Sequence, residues 1–188
     1  MKKGAAITLG SIAGLWVALT LFVQLRTVDS VKVHGPENFQ RSMLIAYQPD
    51  PFYPLDKKIA QAVTQEFVGR EWRVVVATHG SANFPSTDKF DLIVVIANTY
   101  NWRPDWKTTS WISKSDFKNK RVVAFTLGAG STEWAQLALE QAIADSGADL
   151  ITSKTYWLLR PNDENKLDQK NSQVAVDLAV QEINRLSL

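Results

Sequence analysis

The segment Leu92–Ile96 constrains the fold most strongly, because its five apolar residues lack the polar alternation of a half-exposed strand. Such a strand is buried on both faces, as in the inner part of a parallel sheet. Similar β-rich runs are MLIAY, WRVVVAT, RVVAFTL and ADLIT, which begin at residues 43, 72, 121 and 148. Helical apolar patterns separate most of them, at Leu55–Val68, Thr132–Ser146 and Val174–Leu186. We therefore predict an α/β fold with a five-stranded parallel sheet and right-handed crossovers.

The N-terminus carries an apolar segment, Gly4–Val23, in which twenty positions hold no charged residue. A helix of this length would span the roughly 30 Å hydrocarbon core of a bilayer. The alternative is a cleaved signal peptide, but the apolar run continues to Leu25 and lacks the small residues of a cleavage site. We predict a transmembrane signal anchor over residues 1–26, a polar linker over 27–42 and a globular domain over 43–188. The expected location is the membrane, in a single pass.

Charge and composition restrict the compartment and the partners. Lys2 and Lys3 precede the apolar segment, so the positive-inside tendency predicts an extracytoplasmic globular domain. Residues 1–26 hold three of the 21 basic residues and none of the 19 acidic ones, which leaves the remainder at a formal charge of −1. Nucleic-acid binding is therefore not expected. Cysteine is absent and the two histidines are isolated, so we predict no metal site.

The spacing of Gly10 and Gly14 matches the small-xxx-small pattern of membrane-helix dimers. It makes a homodimer one hypothesis, while chance spacing is the alternative.

Aromatic and amide side chains follow Leu92–Ile96 at the point where the strand ends, which is where open α/β sheets bind ligands. Gly128-Ala129-Gly130 follows another strand in the same way. Flat rings can stack on a planar cofactor, and glycine lets its polar edge approach the backbone. A packed aromatic lid is the alternative. The candidate binding residues are Asn98, Thr99, Tyr100, Asn101, Trp102, Trp106, Gly128, Ala129 and Gly130.

From Met43 onward the chain resembles the flavodoxin-like family, which includes flavin-dependent NAD(P)H oxidoreductases. The resemblance is carried by Asp91–Trp111, similar to the family's strand and Pro/Thr-x-Tyr-x-x-x-Pro loop, and by Arg121–Gln136, similar to its fourth strand and glycine-bearing loop. It implies a flavodoxin-like, doubly wound sheet and FMN as cofactor. It also implies an electron carrier or oxidoreductase whose partner is a redox protein or a nicotinamide donor. No catalytic side chain is assigned.

The segment Gln48–Asp56 departs from the family pattern. Flavodoxins hold the FMN phosphate with a Ser/Thr-x-Thr-Gly-x-Thr loop at a helix N-terminus. Here three prolines contribute no N–H, and Asp50 and Asp56 would repel a phosphate. One alternative function is a non-catalytic, membrane-anchored binding or assembly module that has lost its cofactor. The other alternative is a differently placed phosphate, held by Gln48, Tyr53, Lys57 and Lys58.

Overall fold

The computed structural model describes residues 2–186, with side chains from residue 8 onward except that of residue 9. Among these residues, seven strands form one sheet: β1 Val31–His34, β2 Arg41–Tyr47, β3 Trp72–Thr78, β4 Leu92–Tyr100, β5 Arg103–Pro104, β6 Arg121–Gly128 and β7 Asp149–Trp157. The helices are α1 Lys2–Leu25, α2 Leu55–Val68, α3 Trp106–Lys114, α4 Glu133–Asp145 and α5 Asn171–Asn184. Short 3-10 helices lie at Thr87–Lys89 and Glu164–Lys166.

The sheet has the order β1-β3-β2-β4-β6-β7, and β5 pairs with β4. Five neighbouring strands in this order, β3, β2, β4, β6 and β7, are all parallel. The predicted parallel sheet was nevertheless too small, because β1 and β5 add two antiparallel pairings and make the sheet mixed. β1 lies within the segment predicted as a linker. It was missed because four mostly exposed residues give little hydrophobic signal.

Helices cover both faces of the sheet. α2 and α5 pack on one face, through residues such as Val63 and Ala179. α3 and α4 pack on the other, through residues such as Ile112 and Leu139. Successive residues of β4 enter opposite layers, which confirms that this strand is buried on both faces.

The predicted loop after Leu92–Ile96 is mostly regular structure. β4 continues to Tyr100, turns back as β5 and enters α3 at Trp106. Asp105 begins this helix, because its carboxylate accepts the Thr108 N–H at 2.8 Å as an N-cap. The helix escaped prediction because it buries only Thr108 and Ile112, which form no apolar stripe.

The predicted transmembrane helix needs correction. Of the helices within residues 2–186, none combines the length and the apolar character that crossing a membrane requires. Glycine and hydroxyl residues interrupt the described part of α1, and its C-terminal end packs against protein. Val23 and Gln24 are buried there, and Gln24 Oε1 accepts the Trp106 N–H at 2.8 Å. The predicted single-pass location and the side assigned to the domain both depended on this helix and are withdrawn. Residues 1, 187 and 188 of the predicted segments lie outside the described residues.

Candidate functional site

A cavity of about 280 Å³ lies at the carboxyl edge of the parallel strands. It is bounded by the loop after β2, by residues 98–101 at the end of β4 and by residues 127–129 at the end of β6. β2 is paired with β3 on one side and β4 on the other, so the chain reverses its winding direction next to this cavity. Open α/β sheets bind their ligands at such a switch point.

The remaining wall comes from α1. Four of its side chains line the cavity: Trp16, Leu19, Thr20 and Val23. Asn101 Nδ2 donates to Thr20 Oγ1 at 3.2 Å, which ties this wall to the turn after β4. The sequence did not predict that α1 forms part of the cavity wall, because its apolar residues were interpreted as a membrane-spanning segment.

The structure brings most of the predicted site residues together. Six of them line the cavity: Asn98, Thr99, Tyr100, Asn101, Gly128 and Ala129. Trp102 and Gly130 line a shallower, adjoining hollow beside Trp16. Trp106 lies at the start of α3, where its N–H bonds to α1.

Asp50 organises the loop between β2 and α2. Its Oδ1 accepts the N–H groups of Phe52 at 2.6 Å and Tyr53 at 2.8 Å. Its Oδ2 accepts the Tyr100 hydroxyl at 2.6 Å. Burial, and then the contact with Asp50, raise the pKa of Tyr100, so the phenol stays protonated and acts as a donor. Aspartate is common at the start of such turns, because its carboxylate can accept the backbone N–H groups two and three residues further along the chain.

Asp56 is buried at the first turn of α2 and accepts three hydrogen bonds. The donors are the N–H groups of Asp50 and Lys57, each at 2.6 Å, and Asn98 Nδ2 at 2.9 Å. Burial raises the pKa of Asp56 to about 6, although its hydrogen bonds oppose the shift. Asn98 Nδ2 also donates to the Gln48 carbonyl at 2.8 Å, which joins the loop to β4.

Asp105 is a second buried carboxyl in this region, beside Asp56. It accepts the Thr108 N–H and hydroxyl, both at 2.8 Å, and the Asn98 N–H at 3.2 Å. Burial raises its pKa to about 6. Sequence reasoning missed Asp105, whose position three residues before a threonine is a weak N-cap signal.

One polar atom in the cavity wall has no protein partner. Thr99 Oγ1 is buried and makes no hydrogen bond within the described part of the chain. It faces Gly128, where a Cβ would lie 3.3 Å from this oxygen and would clash with the Thr132 methyl group. Buried polar atoms are nearly always bonded in native proteins. Glycine at position 128 therefore makes room for Thr99 and Thr132, and a ligand in the cavity could reach the enclosed Thr99 hydroxyl only after the side chain rotates.

Trp102 is held in an unfavourable backbone conformation. Asn101 and Trp102 have φ values of 51° and 60°, and they connect β4 to β5 as a two-residue turn. Turns of this kind favour Asn-Gly, since a side chain in the left-handed region costs roughly 1–2 kcal/mol.

We expect Trp102→Gly to raise the free energy of unfolding by about 1 kcal/mol, because the indole is 58% exposed and loses little packing. Urea denaturation measures this change. The control is Trp134→Gly in α4, where the indole is 68% exposed and glycine should lower stability by about 0.5–1 kcal/mol. A loss of stability at Trp102 would show that indole packing outweighs the backbone strain.

No protein-family model matches the chain, and no curated protein matches its sequence. Solved structures do resemble it. Flavodoxin 2 from Bacillus cereus has a TM-score of 0.54 and 20% identity, over 76% of this chain and 99% of that one. A Fusobacterium nucleatum flavodoxin bound to flavin mononucleotide has a TM-score of 0.53 and 12% identity, over 78% and 98%. The flavodiiron protein from Giardia intestinalis has a TM-score of 0.54 and 16% identity, over 77% and 37%. The predicted flavodoxin-like α/β fold is thereby confirmed.

Proposed function

From this flavodoxin-like fold, we propose that the protein binds a flavin by its ring in the cavity and functions in electron transfer. The observation that carries the proposal is the position of the cavity at the switch point between β2 and β4, with the ends of β4 and β6 in its wall. FMN is the flavin suggested by the fold, since the Fusobacterium nucleatum neighbour is described as bound to it. We also propose a redox protein or a nicotinamide as the electron donor.

The chain's own residues are suited to a flat ring. Tyr100 and Leu127 contribute an aromatic and an apolar wall, and rotation of the Thr99 side chain would bring its unbonded hydroxyl to a polar ring atom. The largely apolar lining would exclude water from the ring. A bound flavin supplies the redox chemistry, whereas the protein supplies position and electrostatics.

The phosphate of FMN fits less well than its ring. The amides after β2 that could receive an anion are bonded to Asp50 and Asp56. This observation favours a second candidate function, a binding or assembly module that uses the flavodoxin-like fold without a cofactor.

The test uses the purified full-length protein, titrated with riboflavin and with FMN while flavin fluorescence is recorded. We expect saturable quenching at micromolar flavin. Thr99→Val should weaken binding by about five- to tenfold, since a hydrogen bond contributes roughly 1 kcal/mol. The same variant should gain stability, because it removes an unbonded buried hydroxyl.

Thr126→Val is the matched control. Thr126 Oγ1 is also buried without a partner in the described residues, but Thr126 is not among the residues that line the cavity. It should gain stability with no change in flavin binding. Absence of quenching by either flavin at tens of micromolar would refute the flavin proposal and leave the cofactor-free module.

A further inference from the structure

The loop between β2 and α2 contains an anion site that the protein fills itself. The consecutive N–H groups of Phe52 and Tyr53 converge on Asp50 Oδ1, an arrangement that in other proteins receives a phosphate oxygen. The N–H groups of Asp50 and Lys57 are likewise bonded to the Asp56 carboxylate. Four backbone donors of this segment thus already hold carboxylate oxygens.

We propose that the cavity selects a flavin without a phosphate ester, so that riboflavin binds in preference to FMN. This inference rests on the proposed flavin-binding function and specifies its ligand. The Asp50 carboxylate occupies the position where a phosphate would seek amide donors, while the uncharged ribityl chain of riboflavin needs no such donors. Its hydroxyl groups can instead donate to Asp50 Oδ2.

The charges around the cavity support the same selection. A phosphomonoester carries about −2 at neutral pH, and Asp50 would repel it at close range. The described residues that line the cavity include Asp50 and no lysine or arginine. Arg26, Lys32 and Lys57 line an adjoining hollow that Asp50 also borders, on the side of α2 that faces β3. Within the cavity wall itself, no lysine or arginine offsets the repulsion.

Two side chains of β4 keep this arrangement in place. Tyr100 fixes Asp50 Oδ2 from β4, and Asn98 fixes Asp56 from the same strand. Releasing the amides for a phosphate would break hydrogen bonds to two carboxylates at once. Hydrogen bonds to charged groups are the strongest of those that proteins form.

The experiment compares dissociation constants of riboflavin and FMN for the full-length protein at neutral pH and constant salt. In the wild type we expect riboflavin to bind at least about tenfold more tightly. Asp50→Ser removes the charge and keeps an oxygen that can accept the amides of the turn. It should bring the two constants to within about threefold, mainly through tighter binding of FMN.

Asp145→Ser is the control, since Asp145 is exposed at the far end of α4 and should leave the ratio unchanged. Equal or tighter binding of FMN by the wild type overturns the selection but leaves the flavin proposal standing. Failure of both flavins to bind overturns both proposals. If Asp50→Ser leaves the ratio of the two dissociation constants unchanged, Asp50 is not the residue that causes the selection. If that variant does not fold, the wild-type ratio still decides the selection.

Discussion

Replacing His79 by phenylalanine is expected to raise the free energy of unfolding by about 2 kcal/mol at pH 8. The imidazole packs between Phe84 and Trp111, with ring centroids 5.5 and 4.8 Å away. Both of its nitrogens are buried and make no hydrogen bond within residues 2–186. Phenylalanine keeps the ring contacts and removes two unbonded polar atoms, so the desolvation cost disappears while the packing remains.

The gain should be larger in acid, about 4 kcal/mol at pH 5. Burial, and then the charge of Lys107, lower the pKa of His79 to about 3 from its ordinary 6.5. At pH 5 the unfolded chain therefore binds a proton that the folded protein excludes, and the contribution of His79 to wild-type stability falls as pH decreases below 6.5. The variant lacks this group, and the difference between the two proteins widens by about 2 kcal/mol.

Urea denaturation of both proteins at pH 8 and pH 5 measures the effect. The raised pKa values of Asp56 and Asp105, each about 6, act in the opposite direction. Their carboxyls bind protons more tightly in the folded state, so their contribution to stability falls as pH rises from about 4 to 6. Because both proteins contain them, they cancel in the comparison. A difference that is the same at both pH values would contradict the assignment of His79 as a buried neutral imidazole.

Asn98→Ala is expected to lower the free energy of unfolding by about 3 kcal/mol. The side-chain amide donates to the Asp56 carboxylate and to the Gln48 carbonyl, both in a buried setting. Alanine leaves the carboxylate of Asp56 with one donor fewer and no route to water. Chemical denaturation at pH 8, where Asp56 is ionised, gives the full effect.

Asn165→Ala is the control for this variant. Asn165 is exposed, and its amide bonds only to the nearby Asp163 among the contacts described. Its loss should change stability by less than about 0.5 kcal/mol. An equally small effect of Asn98→Ala would contradict this role of Asn98. It would mean that the carboxyl group of Asp56 is protonated at pH 8 or reached by water.

The parallel sheet could be predicted because its signal is local. Buried strands such as Leu92–Ile96 are apolar throughout, and the pattern of Leu55–Val68 agrees with both ends of α2. β1 and α3 could not be predicted in this way. β1 is held by its pairing with β3, a contact between distant parts of the chain, whereas α3 begins at one capping aspartate, which is only a weak local signal.

Only part of the candidate site could be predicted from the sequence. The residues after β4 and β6 could be grouped because strand ends meet at one edge of a parallel sheet. The negative charge of Asp50 was evident, but its bonds to the Phe52 and Tyr53 amides depend on the geometry of the turn. The contacts that Trp102 and Trp106 were expected to make with a ring remain predictions.

Because α1 forms one wall of the cavity, a ligand bound there would contact this helix directly. Trp16 and Leu19 line the space that a ring would enter, and Gln24 fastens the same helix to the start of α3. If a second molecule bound α1 and its binding were coupled to the ligand, each would change the affinity of the other by the same factor. The N-terminal helix, which was predicted only as an anchor, would then bind a second molecule with an affinity that depends on whether the cavity is occupied.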